Sequence, residues 1–404
     1  MQMTQTNPNR AAIAIPDGDF VARRKALSDA LQARDIGAWV AFGDDGACAG
    51  PSHIRYLLDL EPHFEPVILL RRYDGSELVV TGPETIGYER VVRRPGLDRV
   101  IAASFLGHAS EEYPTITLED GASEIASFLK GIDRLGLIGC DRMPQSFFRE
   151  ISDAIHAGGR KTVKVDDVAF DLRAIKTKAE QSVIDEAYRI ARAGLLAAAA
   201  EIKAGVSERF IAAVAEAAMR REGAEGFGID TMVASGVANT QPIIARSSHR
   251  VIEMGDLVTV TVAPRYEGYH AALARPFLLE PNTELERIVM VARDAQKRCE
   301  EAITVGSRGF DAEKISRQTV AAGHTLSSFP YVGIHSIGAI EFEPPIMASH
   351  SSETIKPGMA LSIDIPLFHA PWGGFRIEDG FQVDEKGAQP RFADYQQMVP
   401  LILR

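Results

Sequence analysis

Apolar residues recur at helical spacing from Phe20 to Arg34, and the run Gly37-Ala-Trp-Val-Ala-Phe42 then reads as a buried strand. Further short apolar runs stand at Val67–Leu70, Leu78–Val80, Val100–Ala102 and Leu135–Gly139. Helical stretches at Ala122–Leu129 and Gln145–His156 separate some of them. This order predicts an α/β domain with a mostly parallel or mixed sheet over residues 19–170, behind a polar tail at residues 1–18. No glycine-rich phosphate loop follows any of these strands, so a nucleotide site has nothing to stand on.

The pattern changes over residues 171–404. Thr177 and Glu180 have capping-box spacing, which satisfies free amides at a helix start, and the helix runs through an Ala-rich segment to about Lys203. Ser207 is placed to cap a second helix, Thr283 with Glu286 a third, and Asp311 a fourth. Strands are predicted at Leu257–Val262, Tyr269–Leu278, Met359–Ile365 and Phe375–Val383. Helices grouped among antiparallel strands give an α+β domain.

Composition narrows the function. The chain has 404 residues and a formal charge of −11, from 44 Lys+Arg against 55 Asp+Glu. Phosphate backbones and anionic membranes repel an acidic surface, so no nucleic-acid or membrane partner is expected. No apolar run approaches the ~20 residues that span a bilayer, and Met1–Arg10 has no hydrophobic core for export; both predict a cytoplasmic protein. Cys48, Cys140 and Cys299 are too scattered for a disulfide framework or a zinc knuckle, and read as small buried hydrophobes.

Several segments of the second half fall in a telling order: Leu172-Arg-Ala-Ile-Lys-Thr, Gly255-Asp-Leu-Val, Gly268-Tyr-x5-Ala-Arg275, His335-Ser-Ile-Gly338, Glu343-Pro-Pro345, Lys356-Pro-Gly-Met-Ala and Gly373-Gly-Phe-Arg-Ile-Glu-Asp379. They resemble the pita-bread family of creatinase, prolidase, aminopeptidase P and methionine aminopeptidase. The resemblance covers about residues 20–400 and is strongest from 172 onward. It implies a C-terminal pita-bread domain preceded by a smaller creatinase-type α/β domain.

The family's metallopeptidases bind two metals through two Asp, one His and two Glu. The resemblance puts these positions on Thr261, Ala272, His335, Asp364 and Glu378, and puts Ile244 and Phe342 where accessory histidines stand. Two dications about 3.5–4 Å apart need bridging carboxylates to screen their repulsion. Thr261 has a neutral hydroxyl and Ala272 offers nothing, so the resemblance implies loss of the dinuclear centre. Creatinase departs from the ligand pattern likewise and works without metal; ectoine hydrolase is another relative with a small nitrogen-rich substrate. Creatinase's own catalytic histidine falls at Ile244, the glutamate near its strand arginine at Ala274, and a substrate-binding arginine at Glu65, so a creatinase is not expected.

The expectation is a hydrolase without cofactor that cleaves a C–N bond of a small polar nitrogen compound. His335 and Glu378 activate water and protonate the departing nitrogen, and Asp364 stabilises developing positive charge. Two carboxylates ~4 Å apart repel by about 4 kcal/mol at an effective dielectric of 20, which favours a cationic or zwitterionic substrate. Glu343, Glu65, His63, Tyr269 and His270 are candidates for holding it; Tyr269 and His270 point to opposite strand faces, so one at most lines the pocket. Arg376 is taken to face away from Glu378 and to pair structurally.

Two other classes stay open. One divalent metal at His335, Asp364 and Glu378 suits a lyase or an Xaa-Pro peptidase-like hydrolase. The fold also serves as a non-catalytic binding module. A homodimer is expected, because family members of this length complete each cleft with the neighbour's N-terminal domain. The Leu57–Leu70 stretch is the surface offered for it, and Glu65 and His63 matter only in that arrangement.

Overall fold

Uninterrupted apolar runs can be buried on both faces, and they become the central strands of the first sheet. The computed structural model describes residues 13–46, 49–87, 97, 99–107, 112–323 and 325–403. It divides into two units, Ile15–Arg173 and Ala174–Arg404, with Ile13 and Ala14 belonging to the latter. Cys48 lies outside the described residues.

The first unit contains helices α1 (Asp17–Gln32), α2 (Ser52–Leu58), α3 (Gly121–Phe128) and α4 (Gln145–His156), and α5 (Asp166–Ala174) begins in it. Its strands are β1 (Ala38–Gly43), β2 (Val67–Arg72), β3 (Glu77–Thr81), β4 (Val100–Ala103), β5 (Leu118–Glu119), β6 (Arg134–Ile138) and β7 (Lys161–Lys164). They lie in the order β5-β4-β3-β2-β1-β6-β7, antiparallel among β1, β2 and β3 and parallel elsewhere. This is the mixed sheet that the pattern predicts. Val40, Phe42, Ile68, Leu70 and Val80 pack with Ile125 of α3, Leu129 just past its end, and Ile151 and Ile155 of α4.

In the second unit the helices are α6 (Lys178–Glu201), α7 (Glu208–Arg221), α8 (Gly236–Thr240), α9 (Thr283–Ala302) and α10 (Gly309–Ala322). The strands are β8 (Gly226–Ser235), β9 (Leu257–Tyr266), β10 (Tyr269–His270), β11 (Leu273–Leu278), β12 (Ile334–Ser336), β13 (Glu343–Ile346), β14 (Ala360–Ala370), β15 (Gly373–Asp384) and β16 (Gly387–Pro390). Their order is β10-β9-β11-β15-β14-β12-β13, with β8 on β9 and β16 on β15, every described pair being antiparallel. The α+β class follows.

Local chemistry explains the boundaries. Thr177 and Glu180 close the capping box at the start of α6, and Ser207 accepts the Phe210 amide at the start of α7. At α9 the cap is Asn282 rather than Thr283: its side chain accepts the Leu285 amide at 3.1 Å, and Glu286 reaches back to the Asn282 amide at 2.9 Å. Asp311 does not cap α10, which begins two residues earlier, so its charge sits in the first turn facing the helix dipole. The predicted strand Tyr269–Leu278 is interrupted, with β10 closing a hairpin on β9. Its two turn residues, Glu267 and Gly268, both have positive φ (48° and 79°), as such tight hairpins require.

Alternation along β14 and β15 sorts core from site. Leu361, Ile363, Ile365, Leu367, Phe375, Ile377 and Phe381 pack with Ile288, Val289 and Ala292 of α9. The intervening positions carry Ser362, Asp364, Arg376 and Glu378 on the opposite face. Behind Glu378, Asp379 faces the helix side, where Arg275 donates to it at 2.7 Å and Gln296 at 3.0 Å. Burial pushes the Asp379 carboxyl up to about 6, against the pull of Arg275.

Candidate active site

Asp364 and Glu378 are direct cross-strand partners, so their side chains leave the sheet side by side. The row continues from Glu378 through Ala274 of β11 to Thr261 of β9. On the other flank, the Asp364 amide donates to the Gly333 carbonyl at 2.9 Å. A Cβ on Gly333 would lie 1.7 Å from the Asp364 carbonyl oxygen, so only glycine lets this loop approach β14. The loop delivers two side chains to the site, Tyr331 and His335.

His335 is fully buried. Its Nδ1 stands 2.9 Å from the Ser336 carbonyl. A carbonyl only accepts, so Nδ1 carries a hydrogen and Nε2 faces Glu378, 3.8 Å from Oε1. Phe342 stacks against the ring with centroids 4.0 Å apart. Burial lowers the histidine's pKa, but Glu378 and Glu341 together raise it above the ordinary value.

Glu378 accepts from Ser362 Oγ at 2.7 Å through Oε1, while its buried Oε2 has no hydrogen-bond partner among the described residues. Burial would raise its pKa, but His335 and Arg376 bring it below the usual carboxylate value. Glu341 joins the pair. One ligand atom each from His335, Glu341 and Glu378 lie within 4.8 Å of one another, and all three residues are buried. Burial and then the Glu378 charge push Glu341 up to about 7.

Asp364 stands apart from that trio. Its Oδ2 accepts from the Tyr331 hydroxyl and lies 3.7 Å from Arg376 Nη1, and its buried Oδ1 has no partner among the described residues. Burial drives its pKa up to about 7, with Arg376 pulling the other way. Arg376 also donates to the Ile243 carbonyl at 2.6 Å. Residues two apart on a strand share a face, so Arg376 lies on the Glu378 side, and the expectation that it faces away is overturned.

The structure brings His335, Glu378 and Asp364 to one face, and uses the other sequence candidates as braces. Glu343 lies 3.2 Å from Lys176 Nζ and accepts the Ile340 amide. Tyr269 donates to Glu180 at 2.6 Å, and the His270 ring and amide both bind the Gly338 carbonyl. In the first unit, Glu65 is buried and accepts the Glu84 and Thr85 amides at 3.0 and 2.8 Å through Oε2, while its buried Oε1 has no hydrogen-bond partner among the described residues. His63 is exposed and bridges Glu65 through the backbone. Most apolar side chains of Leu57–Leu70 belong to that unit's interior, which corrects the expectation of an apolar docking surface there; Phe64 is the exposed exception.

Glu341, Tyr331 and Arg376 were not anticipated as site residues. The period of two places Arg376 beside Glu378, and the alternation Glu341-Phe342-Glu343 is the local signal for Glu341. Tyr331 lies in an irregular loop that carries no such pattern.

Residues 182–385 match the model of metallopeptidase family M24. The chain belongs to this family. It is 32% identical over 267 residues to an Xaa-Pro dipeptidase of Pyrococcus furiosus, covering 66% of this chain and 75% of that protein. The Xaa-Pro dipeptidase of Pyrococcus horikoshii is 30% identical over the same length and shares. The crystal structure of the prolidase from Pyrococcus horikoshii superposes with a TM-score of 0.77 and 25% identity, covering 92% of this chain and 97% of that one. The pita-bread resemblance is thereby borne out for family and fold, and this M24 member is a hydrolase of peptidase type. Membership of a metallopeptidase family also overturns the expectation of a cofactor-free site. Among the described residues no helix is long and apolar enough to cross a membrane.

Proposed function

We propose that this chain hydrolyses the C–N bond of a small Xaa-Pro-like dipeptide with the help of a divalent cation. The observation that carries the reading is the buried trio His335, Glu341 and Glu378, with converging donor atoms and an unsatisfied Glu378 Oε2. An imidazole lone pair and two carboxylates are a donor set suited to such an ion, and these residues would hold it. When bound, the cation polarises the scissile carbonyl and makes a bound water more acidic.

The remaining chemistry belongs to the chain. Asp364 faces the same side as Glu378 with Oδ1 free of hydrogen bonds, so it takes the proton from the attacking water and returns it to the departing nitrogen. The C–N bond breaks as the water oxygen bonds to the carbonyl carbon. Tyr331 holds Asp364 through Oδ2, and Arg376 keeps the pair from accumulating uncompensated charge. Phe342 and Ile244, both exposed, give an apolar rim, Ile244 following the residue whose carbonyl Arg376 binds.

The test is a substrate panel. Protein stripped with chelator and reloaded with Mn²⁺, Co²⁺ or Zn²⁺ is incubated with Xaa-Pro dipeptides, other dipeptides, amidines and cyclic amides, and products are followed by mass spectrometry. Release of proline, lost on chelation and in Glu378→Gln, is expected. Turnover of amidines or cyclic amides alone would replace the peptidase reading.

A further inference from the structure

We infer that the centre takes one divalent cation per chain, ligated by His335, Glu341 and Glu378, and that Arg376 supplies the positive charge beside Asp364. This rests on the reading of a metal-assisted hydrolase and specifies the ion count and the third ligand. A second ion beside the first needs donors on the far flank of Glu378. The sheet register puts Ala274 next to Glu378 and Thr261 beyond it, while Ala272 begins the buried approach to β11. Two methyl groups and one neutral hydroxyl offer no carboxylate to share between two dications.

On the near flank, Asp364 is committed. Tyr331 donates to its Oδ2, and Arg376 Nη1 lies 3.7 Å from that oxygen in a position fixed by the Ile243 carbonyl. The guanidinium is buried, and an arginine stays charged in proteins. A dication brought to Asp364 would meet a fixed like charge. Glu341 is different: it is buried, has no arginine or lysine partner among the described ion pairs, and places a ligand atom within 4.8 Å of those of His335 and Glu378. Glu378 Oε2 is buried and has no hydrogen-bond partner among the described residues, which leaves it available as a donor atom.

The experiment measures stoichiometry and affinity without substrate. Full-length chelator-stripped protein is titrated with Zn²⁺ and Mn²⁺ by calorimetry, and metal per chain is counted by mass spectrometry after dialysis. One ion per chain is expected. Glu341→Gln should weaken it at least tenfold, while Asp364→Asn should keep the count at one. Circular dichroism and the rescuing variant Glu341→Asp separate ligand loss from misfolding. Two ions in the wild-type chain, no ion at all, or wild-type affinity in folded Glu341→Gln would overturn the assignment. Dipeptidase activity is scored separately: two ions with full activity refutes only the ion count, and one ion with no dipeptide turnover refutes only the substrate reading.

Discussion

At the residue scale, Tyr331 shows how a buried acid depends on a single donor. Tyr331→Phe removes the hydroxyl that Asp364 accepts and adds no new group, leaving a carboxyl with no replacement donor. Loss of a hydrogen bond to a buried group costs about 1–3 kcal/mol, so the midpoint of denaturant unfolding should fall accordingly. An unchanged midpoint would mean that water reaches Asp364. Turnover should fall as well, because the same bond orients the proposed proton carrier. His335 and Glu378 were legible because each sits in a short segment resembling a family motif, and Asp364 because it follows the Lys356-Pro-Gly-Met-Ala segment by four residues. Tyr331 was not, since its role comes from how an irregular loop packs against β14, and local spacing does not encode that contact; for Glu341 the only signal is its alternation with Phe342 and Glu343. Arg376 is legible in the sequence, since residues two apart on a strand share a face and it stands two before Glu378.

At the element scale, the displaced cap of α9 gives a paired test. Asn282→Ala should cost about 1 kcal/mol by thermal or denaturant unfolding, while Thr283→Ala should stay within a few tenths. Equal losses would restore Thr283 as the cap. Strand β15 offers a harsher test. A Cβ at Gly380 would lie 2.0 Å from Cζ of Tyr188, a fully buried ring on α6, so Gly380→Ala should destabilise by about 1–3 kcal/mol through overpacking. Soluble, wild-type-like Gly380→Ala protein would show that α6 gives way easily. The long helices were visible in sequence through their caps and helical spacing, and β14 and β15 because apolar core residues alternate with polar residues of the site face. β12 and β13 were missed: the first has three residues, and the second, Glu343-Pro-Pro-Ile346, has two prolines that mask any strand pattern.

At the scale of the whole molecule, the two units carry titratable groups of opposite sense. His53, buried beside Phe170, Arg173 and Asp166, has its pKa lowered to about 3 by burial first and then by Arg173 and Arg142. A depressed base gives stability that is complete above the unfolded value of about 6.5 and is lost as pH falls toward the folded one. In a Trp372→Phe background, Trp39 fluorescence reports the first unit; its stability should drop from pH 7 to 4, and His53→Gln should flatten that slope. An identical slope in both proteins would remove His53 as the cause. The family resemblance further predicts a homodimer, so sedimentation velocity at micromolar concentration should give twice the mass of one chain; a monomer would count against it. In the second unit, Glu313, Glu341 and Asp364 are raised to about 7, and Asp379 to about 6. Near pH 6 the unfolded chain has released these protons while the metal-free folded unit retains them, so folding of this unit draws protons from the solution, offset in part by the proton that His53 gives up in the first unit. The heat of refolding should therefore vary with the ionisation enthalpy of the buffer, larger in phosphate than in imidazole by an amount that counts the protons captured, and occupation of the His335 centre by a cation should shrink that difference.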